Sequence, residues 1–150
     1  MEPIFDPAAE SDLDLILNFM RRLYAQDGIP FDESSARATL AGIVRDRSLG
    51  RVWMIREGPE PIGYMILTLG YSLEYRGRDA FVDELFVDEN RRRQGIGRKA
   101  MQFLERACRD LEVRALHLEV ERPNFGAQVL YRKFGFVDHD RYLMTKHIEP

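Results

Sequence analysis

The stretch from Ala80 to Ala100 constrains the fold of this 150-residue chain more than any other part. Residues 80–87 are rich in β-branched and aromatic side chains, which predicts a strand. After Gly95 the apolar residues change to helical spacing: Ile96, Ala100, Phe103, Leu104, Ala107 and Leu111. A basic turn joins the two: Arg91, Arg92, Arg93, Gln94, Gly95, Ile96 and Gly97. The stretch therefore predicts a strand, a glycine-containing turn and a helix.

Such a turn predicts an anion site. The first backbone N–H groups of a helix have no partner within the helix, and the helix dipole adds about half a positive charge at the same end. Glycine lets an anion approach amides that a Cβ would shield, and the neighbouring arginines attract anions over a longer range. The anion that such a helix start commonly binds is a phosphate ester or a pyrophosphate.

Two known phosphate-binding turns fit this stretch less well. A P-loop requires Lys and then Ser or Thr after its last glycine, whereas Arg98 and Lys99 follow Gly97. Residues 95–100 do spell the dinucleotide pattern G-x-G-x-x-A, with Glu119 or Glu121 about twenty residues later. However, charged and polar residues separate the strand from the first glycine. About fifty residues follow the pattern, too few for the rest of a doubly wound sheet.

A third pattern covers more of the chain. Residues 92–97 match the loop Q/R-x-x-G-x-G/A, by which the chain resembles the GCN5-related N-acetyltransferases (GNAT family). Residues 118–136, with Asn124 and Tyr131, resemble the closing motif of that family. The resemblance is strongest over residues 80–136. It implies an α/β GNAT fold with a mixed, mostly antiparallel sheet, splayed between its fourth and fifth strands and covered by helices on both faces.

The resemblance also implies acetyl-CoA as the acetyl donor. The backbone of the fourth strand would hold the pantetheine arm, and the Leu85 N–H would face the thioester carbonyl, where an amide stabilises developing negative charge. The pyrophosphate would lie on the amides of the turn. Asn124 would contact the pantetheine and also suits a helix N-cap. The implied cofactor-binding residues are Leu85, Phe86, Val87, Arg92, Arg93, Gln94, Gly95, Ile96, Gly97, Arg98, Asn124 and Tyr131.

Three residues are candidates for catalysis: Tyr131, Leu85 and Asp83. Tyr131 matches the general-acid tyrosine of the family, and a phenol and a thiol have pKa values close enough for proton donation. The alternative is a tyrosine that only continues the apolar stripe of its helix.

An amine acceptor must lose a proton before it attacks, which favours a carboxylate on the central strand. Strand alternation predicts Asp83 on the face of Leu85 and Val87, towards the acceptor, and Glu84 on the opposite face with Phe86. An intervening β-bulge would change this assignment. The region also resembles the polyamine-type branch of the family. The structural alternative is that either carboxylate pairs with an arginine.

The resemblance implies transfer of an acetyl group to a primary amine, and we expect a small molecule as the acceptor. Acetylation of a protein lysine or N-terminus, and a non-catalytic acyl-CoA sensor, stay open as alternatives. The net charge of −3 argues against broad nucleic-acid binding. The three histidines are scattered, so no metal is expected, and Cys108 is the only cysteine, which fits a reducing compartment. We expect a cytoplasmic protein with no membrane contact, and a homodimer is allowed.

One domain over residues 1–150 is expected, with the element order β-α-α-β-β-β-α-β-α-β. Ser11 and Asp14 suggest a capping box at the first helix. Residues 70–78 suggest a polar and aromatic connection, which is either a solvated hairpin loop or a wall of the substrate site. Gly135 followed by Phe136 is typical of a helix C-cap, and residues 137–146 are expected to supply one or two closing strands.

Overall fold

The computed structural model describes residues 2–150. These residues form two compact units, one that runs to Glu119 and one that covers residues 120–150. The first unit contains β1 (Pro3–Pro7), α1 (Leu13–Asp27), α2 (Glu33–Arg45), β2 (Gly50–Glu57), β3 (Glu60–Ser72), β4 (Gly77–Val87), α3 (Ile96–Asp110) and β5 (Ala115–His117). The second contains α4 (Phe125–Lys133). The expected single domain stays a prediction.

The five strands form one sheet in the order β1-β2-β3-β4-β5. Neighbours pair antiparallel except for β4 and β5, which pair parallel. That last pairing joins only residues 79–81 to residues 115–117, whereas β4 continues to Val87. The predicted mixed sheet that opens between its fourth and fifth strands is therefore confirmed.

Helices cover both faces of this sheet. On one face, α1 and α2 pack their apolar residues onto β2, β3 and β4, in a cluster that includes Ile16, Leu40, Met54, Tyr64 and Phe86. On the other face, Ile96 of α3 packs with residues of β2, β3 and β4. Leu85 and Val87 belong to this second cluster. The opposite faces of β4 therefore carry Phe86 and Leu85, as alternation along a strand requires.

Local details differ from prediction at two places in the first unit. A 3-10 turn, Glu10–Asp12, precedes α1, and the Asp12 carboxylate accepts a hydrogen bond from the Ala9 N–H at 2.9 Å. The predicted capping box of Ser11 and Asp14 is therefore wrong, because the helix begins two residues after Ser11. The hairpin between β3 and β4 is also shorter than predicted, since both strands extend into residues 70–78.

The predicted closing strands are wrong as well. No residue from 137 to 146 lies in a strand. The large apolar side chains there, Val137, Tyr142, Leu143 and Met144, are between 71% and 89% exposed. A strand gains its stability from cross-strand pairs and from a buried face, and this segment has neither.

Candidate active site

The glycine turn, residues 91–98, joins β4 to α3. Asp88 caps a 3-10 turn, Glu89–Arg91, and α3 begins at Ile96 with Gly95 as its N-cap. Arg93 and Gly95 have left-handed backbones, with φ of 63° and 79°. Glycine adopts this conformation without the steric cost that a Cβ adds. The chain therefore reverses sharply just before the helix.

This reversal leaves a run of backbone amides free. Lys99 donates its N–H to the Gly95 carbonyl at 3.1 Å. In the part of the chain that the structure describes, no backbone N–H from Arg93 to Arg98 donates a hydrogen bond. Consecutive free amides at the positive end of a helix make a concave anion site. The predicted glycine turn before a helix is present, and anion binding at its amides stays a prediction.

The cations of the turn divide into two groups. Arg91 forms ion pairs with Glu57 and Glu60. Arg92 donates to the Val87 carbonyl at 2.9 Å and to Gln26 at 2.8 Å. By contrast, Arg93 and Arg98 are exposed and form no ion pair among the described residues. These last two are the cations available to a bound anion.

Where β4 leaves β5, the backbone groups on that side of β4 have no strand partner, although the Val87 carbonyl accepts a hydrogen bond from Arg92. Asp88 donates its N–H to the Ile62 carbonyl at 2.8 Å, so Val87 and Gly63 are a non-hydrogen-bonded pair of the antiparallel ladder. By alternation, the N–H and C=O groups of Leu85 and Val87 point away from β3, towards the open edge. Those of Phe86 point to β3. Of the three predicted pantetheine contacts on β4, two thus present their backbone groups to the opening.

A β-bulge interrupts β4 between these residues and the start of the strand. Ile66 and Leu67 are adjacent on β3, yet they oppose Glu84 and Val82, so Asp83 is an extra residue in β4. The predicted placement of Asp83 and Glu84 on opposite faces is therefore wrong. Both carboxylates line the same pocket, on the face covered by α1 and α2.

This carboxylate pocket has a volume of about 630 Å³. Its wall comes from α1, the segment that joins α1 to α2, α2, β3 and β4, and it includes apolar residues such as Met20, Phe31 and Leu40. Every charged residue in the wall is acidic: Asp32, Asp83 and Glu84. The pocket therefore suits a cation with an apolar body.

Glu84 is held by two tyrosines. Tyr24 of α1 donates its hydroxyl to one carboxylate oxygen at 2.5 Å, and Tyr64 of β3 donates to the other at 2.7 Å. Burial raises the pKa of Tyr24 and of Tyr64 above the usual range of a phenol, so both keep their protons and donate. Burial also raises the pKa of Glu84, although the two phenols oppose that rise. Both oxygens of this carboxylate are thus occupied.

Asp83 differs from its neighbour because its carboxylate forms no hydrogen bond or ion pair within the described residues. It is solvent-accessible, yet desolvation by the surrounding protein raises the pKa of Asp83. A carboxylate at the wall of a pocket whose oxygens have no hydrogen-bond partner can bind an ammonium group or a water molecule. Neither Asp83 nor Glu84 pairs with an arginine.

The second unit carries the other two predicted site residues. The side chain of Asn124 accepts a hydrogen bond from the Ala127 N–H at 3.2 Å, which confirms it as the N-cap of α4. Tyr131 lies in the last turn of α4, and its ring packs on Phe136 at a centroid distance of 5.9 Å. Gly135 donates to the Arg132 carbonyl and Phe136 to that of Tyr131, which is the Schellman motif that Gly135 and Phe136 predicted.

Two residues of the pocket, Tyr24 and Tyr64, were not identified as functional from the sequence. Tyr24 continues the apolar spacing of α1, and Tyr64 lies in an almost continuously apolar part of β3. A phenol in such a stripe signals a polar partner, because a buried hydroxyl needs a hydrogen bond. That signal does not say which residue the partner is.

The comparisons with known proteins agree with this geometry. The acetyltransferase (GNAT) family matches residues 17–136. The chain belongs to this family, whose members use acetyl-CoA and act on amine acceptors. The predicted enzyme class, an acetyl-CoA-dependent acyltransferase, is confirmed at the level of the family.

A thialysine N-epsilon-acetyltransferase from Bos taurus is 30% identical over 82 residues, which are 55% of this chain and 48% of that protein. The chain thus spans about half the length of this curated relative. An integron cassette protein from the mobile metagenome of Cole Harbour Salt Marsh is 34% identical, with a TM-score of 0.85 over 97% of this chain and 91% of that one. A predicted acetyltransferase from Clostridium acetobutylicum, solved with acetyl-CoA, shares the fold at 16% identity, with a TM-score of 0.80 over 97% and 96% of the two chains.

The remaining expectations concern surroundings and partners. No helix among residues 2–150 is long and apolar enough to cross a membrane. Within the same residues, no group of three or more His, Cys, Asp or Glu side chains is placed to hold a metal ion. Cytoplasmic location and a homodimer stay predictions. Cys108 is buried in α3, and burial raises the pKa of its thiol to about 11.

Proposed function

We propose that this protein transfers an acetyl group from acetyl-CoA to a primary amine of a small molecule. The observation that carries this proposal is the carboxylate pocket. Its charged wall residues are all acidic, and it opens on the face of β4 next to the bulge. One of its carboxylates, that of Asp83, forms no hydrogen bond or ion pair with the residues that the structure describes. An alkylammonium ion has the charge and the apolar body that such a pocket selects.

The glycine turn would hold the phosphates of acetyl-CoA. The free amides of residues 93–98 would receive the pyrophosphate, with Arg93 and Arg98 as counter-ions. The open-edge N–H and C=O groups of Leu85 and the N–H of Val87 would pair with the amides of the pantetheine arm, as a further strand would. Free amides, guanidinium groups and open-edge strand groups are therefore present for the phosphates and the pantetheine arm of acetyl-CoA.

The chemistry follows from these positions. The amine nitrogen attacks the acetyl carbonyl carbon, a C–N bond forms, and the C–S bond breaks with release of the thiolate. The Leu85 N–H would stabilise the negative charge that develops on the carbonyl oxygen. Asp83 would accept the proton that the amine loses, directly or through a water molecule. The resemblance to the family, rather than a contact with the first unit, supports Tyr131 as the residue that would donate a proton to the departing sulfur.

Two features favour a small acceptor over a protein. The segment that joins α1 to α2 contributes Pro30, Phe31 and Asp32 to the wall, so the acceptor would enter a pocket bounded on that side rather than lie on a flat surface. Asp32 also adds a third carboxylate to a wall that contains apolar side chains, which suits a molecule with two amino groups. The name of the bovine relative places its activity on the N-epsilon atom of thialysine. We therefore propose a diamine-type acceptor.

The test is an acceptor screen that follows thiol release from acetyl-CoA. The panel contains α,ω-diamines, matched monoamines, and peptides with a lysine or a free N-terminus. We expect turnover with diamines above that with monoamines of equal length, and little with peptides. Preference for peptides would favour the protein-acetylating alternative. Calorimetric binding of acetyl-CoA without turnover of any amine would favour the sensor alternative.

A further inference from the structure

A second cavity lies in the first unit, at the end of the sheet where β1 stops and β2 continues. β1 ends at Pro7, opposite Trp53, so residues 50–52 have no β1 partner. The cavity has a volume of about 380 Å³, and it lies between the C-terminal ends of α2 and α3. The glycine turn lies at the other end of α3. This arginine cavity, defined by Arg47, Arg51 and Arg106, is therefore separate from the site proposed for the phosphates of acetyl-CoA.

The charges in the wall of the arginine cavity are unbalanced. Three guanidinium groups face one carboxylate, that of Asp110. Arg47 and Arg106 are exposed and have no ion pair among the residues that the structure describes. Arg51 donates to the carbonyls of Arg47 and Gly50 rather than to a carboxylate. Desolvation, together with the like charges of Arg47 and Arg78, lowers the pKa of Arg51. A bound anion would relieve this repulsion.

The rest of the wall is apolar and partly aromatic. Trp53 and Phe103 meet edge to face at a centroid distance of 5.3 Å, and Ile43 and Val44 of α2 complete the surface. Guanidinium groups beside aromatic and aliphatic side chains select a ligand with an anionic head and an apolar body. The volume lies in the range of small-molecule sites, which begins at about 300 Å³.

We propose that the arginine cavity is a second binding site, for a small carboxylate or phosphate with an apolar body the size of one ring. This site lies outside the acetyl-transfer machinery. The apolar wall holds the body of the ligand, and the guanidinium groups of Arg47, Arg51 and Arg106 hold its charge. The ligand enters from the exposed side, where Arg47 and Arg106 lie.

Trp53 provides a direct measurement, because it is the only tryptophan of the chain and lies in the wall of this cavity. Phenylphosphate, phenylacetate and inorganic phosphate are titrated into the protein while its fluorescence is followed. We expect a saturable change with phenylphosphate or phenylacetate, and the tighter of the two identifies the preferred head group. If inorganic phosphate binds as tightly as phenylphosphate, the site holds an adventitious ion only, and the proposal fails.

Variants then assign the binding to this cavity. Because Arg47 and Arg106 are exposed, Arg47→Gln with Arg106→Gln should keep the melting temperature, and it should weaken binding by about tenfold or more through loss of charge-assisted hydrogen bonds. Arg109→Gln is the matched control, since Arg109 lies on α3 outside the cavity. Unchanged affinity in the double variant, an equal loss in the control, or no fluorescence change with either aromatic ligand would overturn the proposal.

Discussion

The glycine turn and the carboxylate pocket are built in opposite ways. The turn consists of consecutive residues, and its anion site is made by backbone amides between Arg93 and Arg98. The pocket takes side chains from two helices, two strands and the segment between α1 and α2, and the placement of its carboxylates depends on one extra residue in β4. A local motif can therefore specify the glycine turn alone, whereas the carboxylate pocket depends on the whole first unit.

This difference predicts different responses to mutation. A backbone site tolerates exchange of most side chains and fails when a Cβ blocks the amides. A side-chain site fails when one charge is removed. The carboxylate pocket and the glycine turn share no residue. Substitutions can therefore change the specificity of the pocket while the turn remains unaltered.

The largest effect should come from Gly97→Val, which places a branched side chain at the second residue of α3, among the free amides. Loss of two charge-assisted hydrogen bonds, each worth about 1.5–3 kcal/mol, weakens acetyl-CoA binding by about a hundredfold or more. Calorimetry measures the affinity of the variant for acetyl-CoA. Gly42→Val is the control, because a Cβ there meets no atom within 4 Å. A folded Gly97→Val protein with normal affinity would show that the turn does not bind the cofactor.

Tyr131→Phe extends the comparison to the leaving group. The ring and its packing on Phe136 remain, but the proton donor is lost. We expect turnover to fall by about a hundredfold, with the affinity for acetyl-CoA nearly unchanged. Tyr142→Phe is the control, since Tyr142 is exposed. Steady-state kinetics within about twofold of wild type would make Tyr131 a packing residue and assign protonation to water.

Asp83→Asn tests the acceptor side at its unpaired carboxylate. Because the variant keeps the shape and removes the charge, kcat/KM for the amine should fall by about tenfold or more, in line with the loss of a charge-assisted partner. The pH profile should move to higher pH, since the amine must lose its proton without help. The affinity for acetyl-CoA should not change. Unaltered kinetics in Asp83→Asn, with a large loss of activity in Glu84→Gln, would assign the role of proton acceptor to Glu84 instead.

The strand–turn–helix geometry of the glycine turn was predicted well because the information there is local. Fixed glycines, a strand before them and helical spacing after them define the turn without reference to the rest of the chain. The same holds for the C-cap at Gly135, whose left-handed backbone has a φ of 92°. Pairing of β4 with β5 over a few residues, followed by separation, came instead from the family resemblance.

The acceptor side could not be predicted in the same way. The bulge at Asp83 depends on how β4 aligns with β3, and Asp83 itself gives no signal of it. The bulge shifts the pairing of β4 with β3 by one residue. Simple alternation then places Asp83 and Glu84 on opposite faces, although both line the same pocket. The partners of Glu84 lie 60 and 20 residues away in the chain, so Tyr24 and Tyr64 could be paired with it only through the fold. The prediction of closing strands in residues 137–146 was wrong for a related reason. Local composition does not show whether a segment can pair with the edge strand of a sheet.

The smallest expected effect concerns stability, and it sharpens the distinction between Glu84 and Asp83. Burial raises the pKa of Glu84, so the folded chain binds a proton at this carboxyl more readily than the unfolded chain does. Its contribution to the free energy of unfolding is therefore greatest below the unfolded-state pKa and decreases as pH rises through the folded-state pKa.

Glutamine does not titrate. The melting temperature of Glu84→Gln relative to wild type should thus increase between about pH 4 and about pH 7. Glu119→Gln, at an exposed glutamate, should show a smaller change. A relative melting temperature that decreases over this range would mean that the two tyrosines outweigh burial and hold Glu84 ionised in the folded protein.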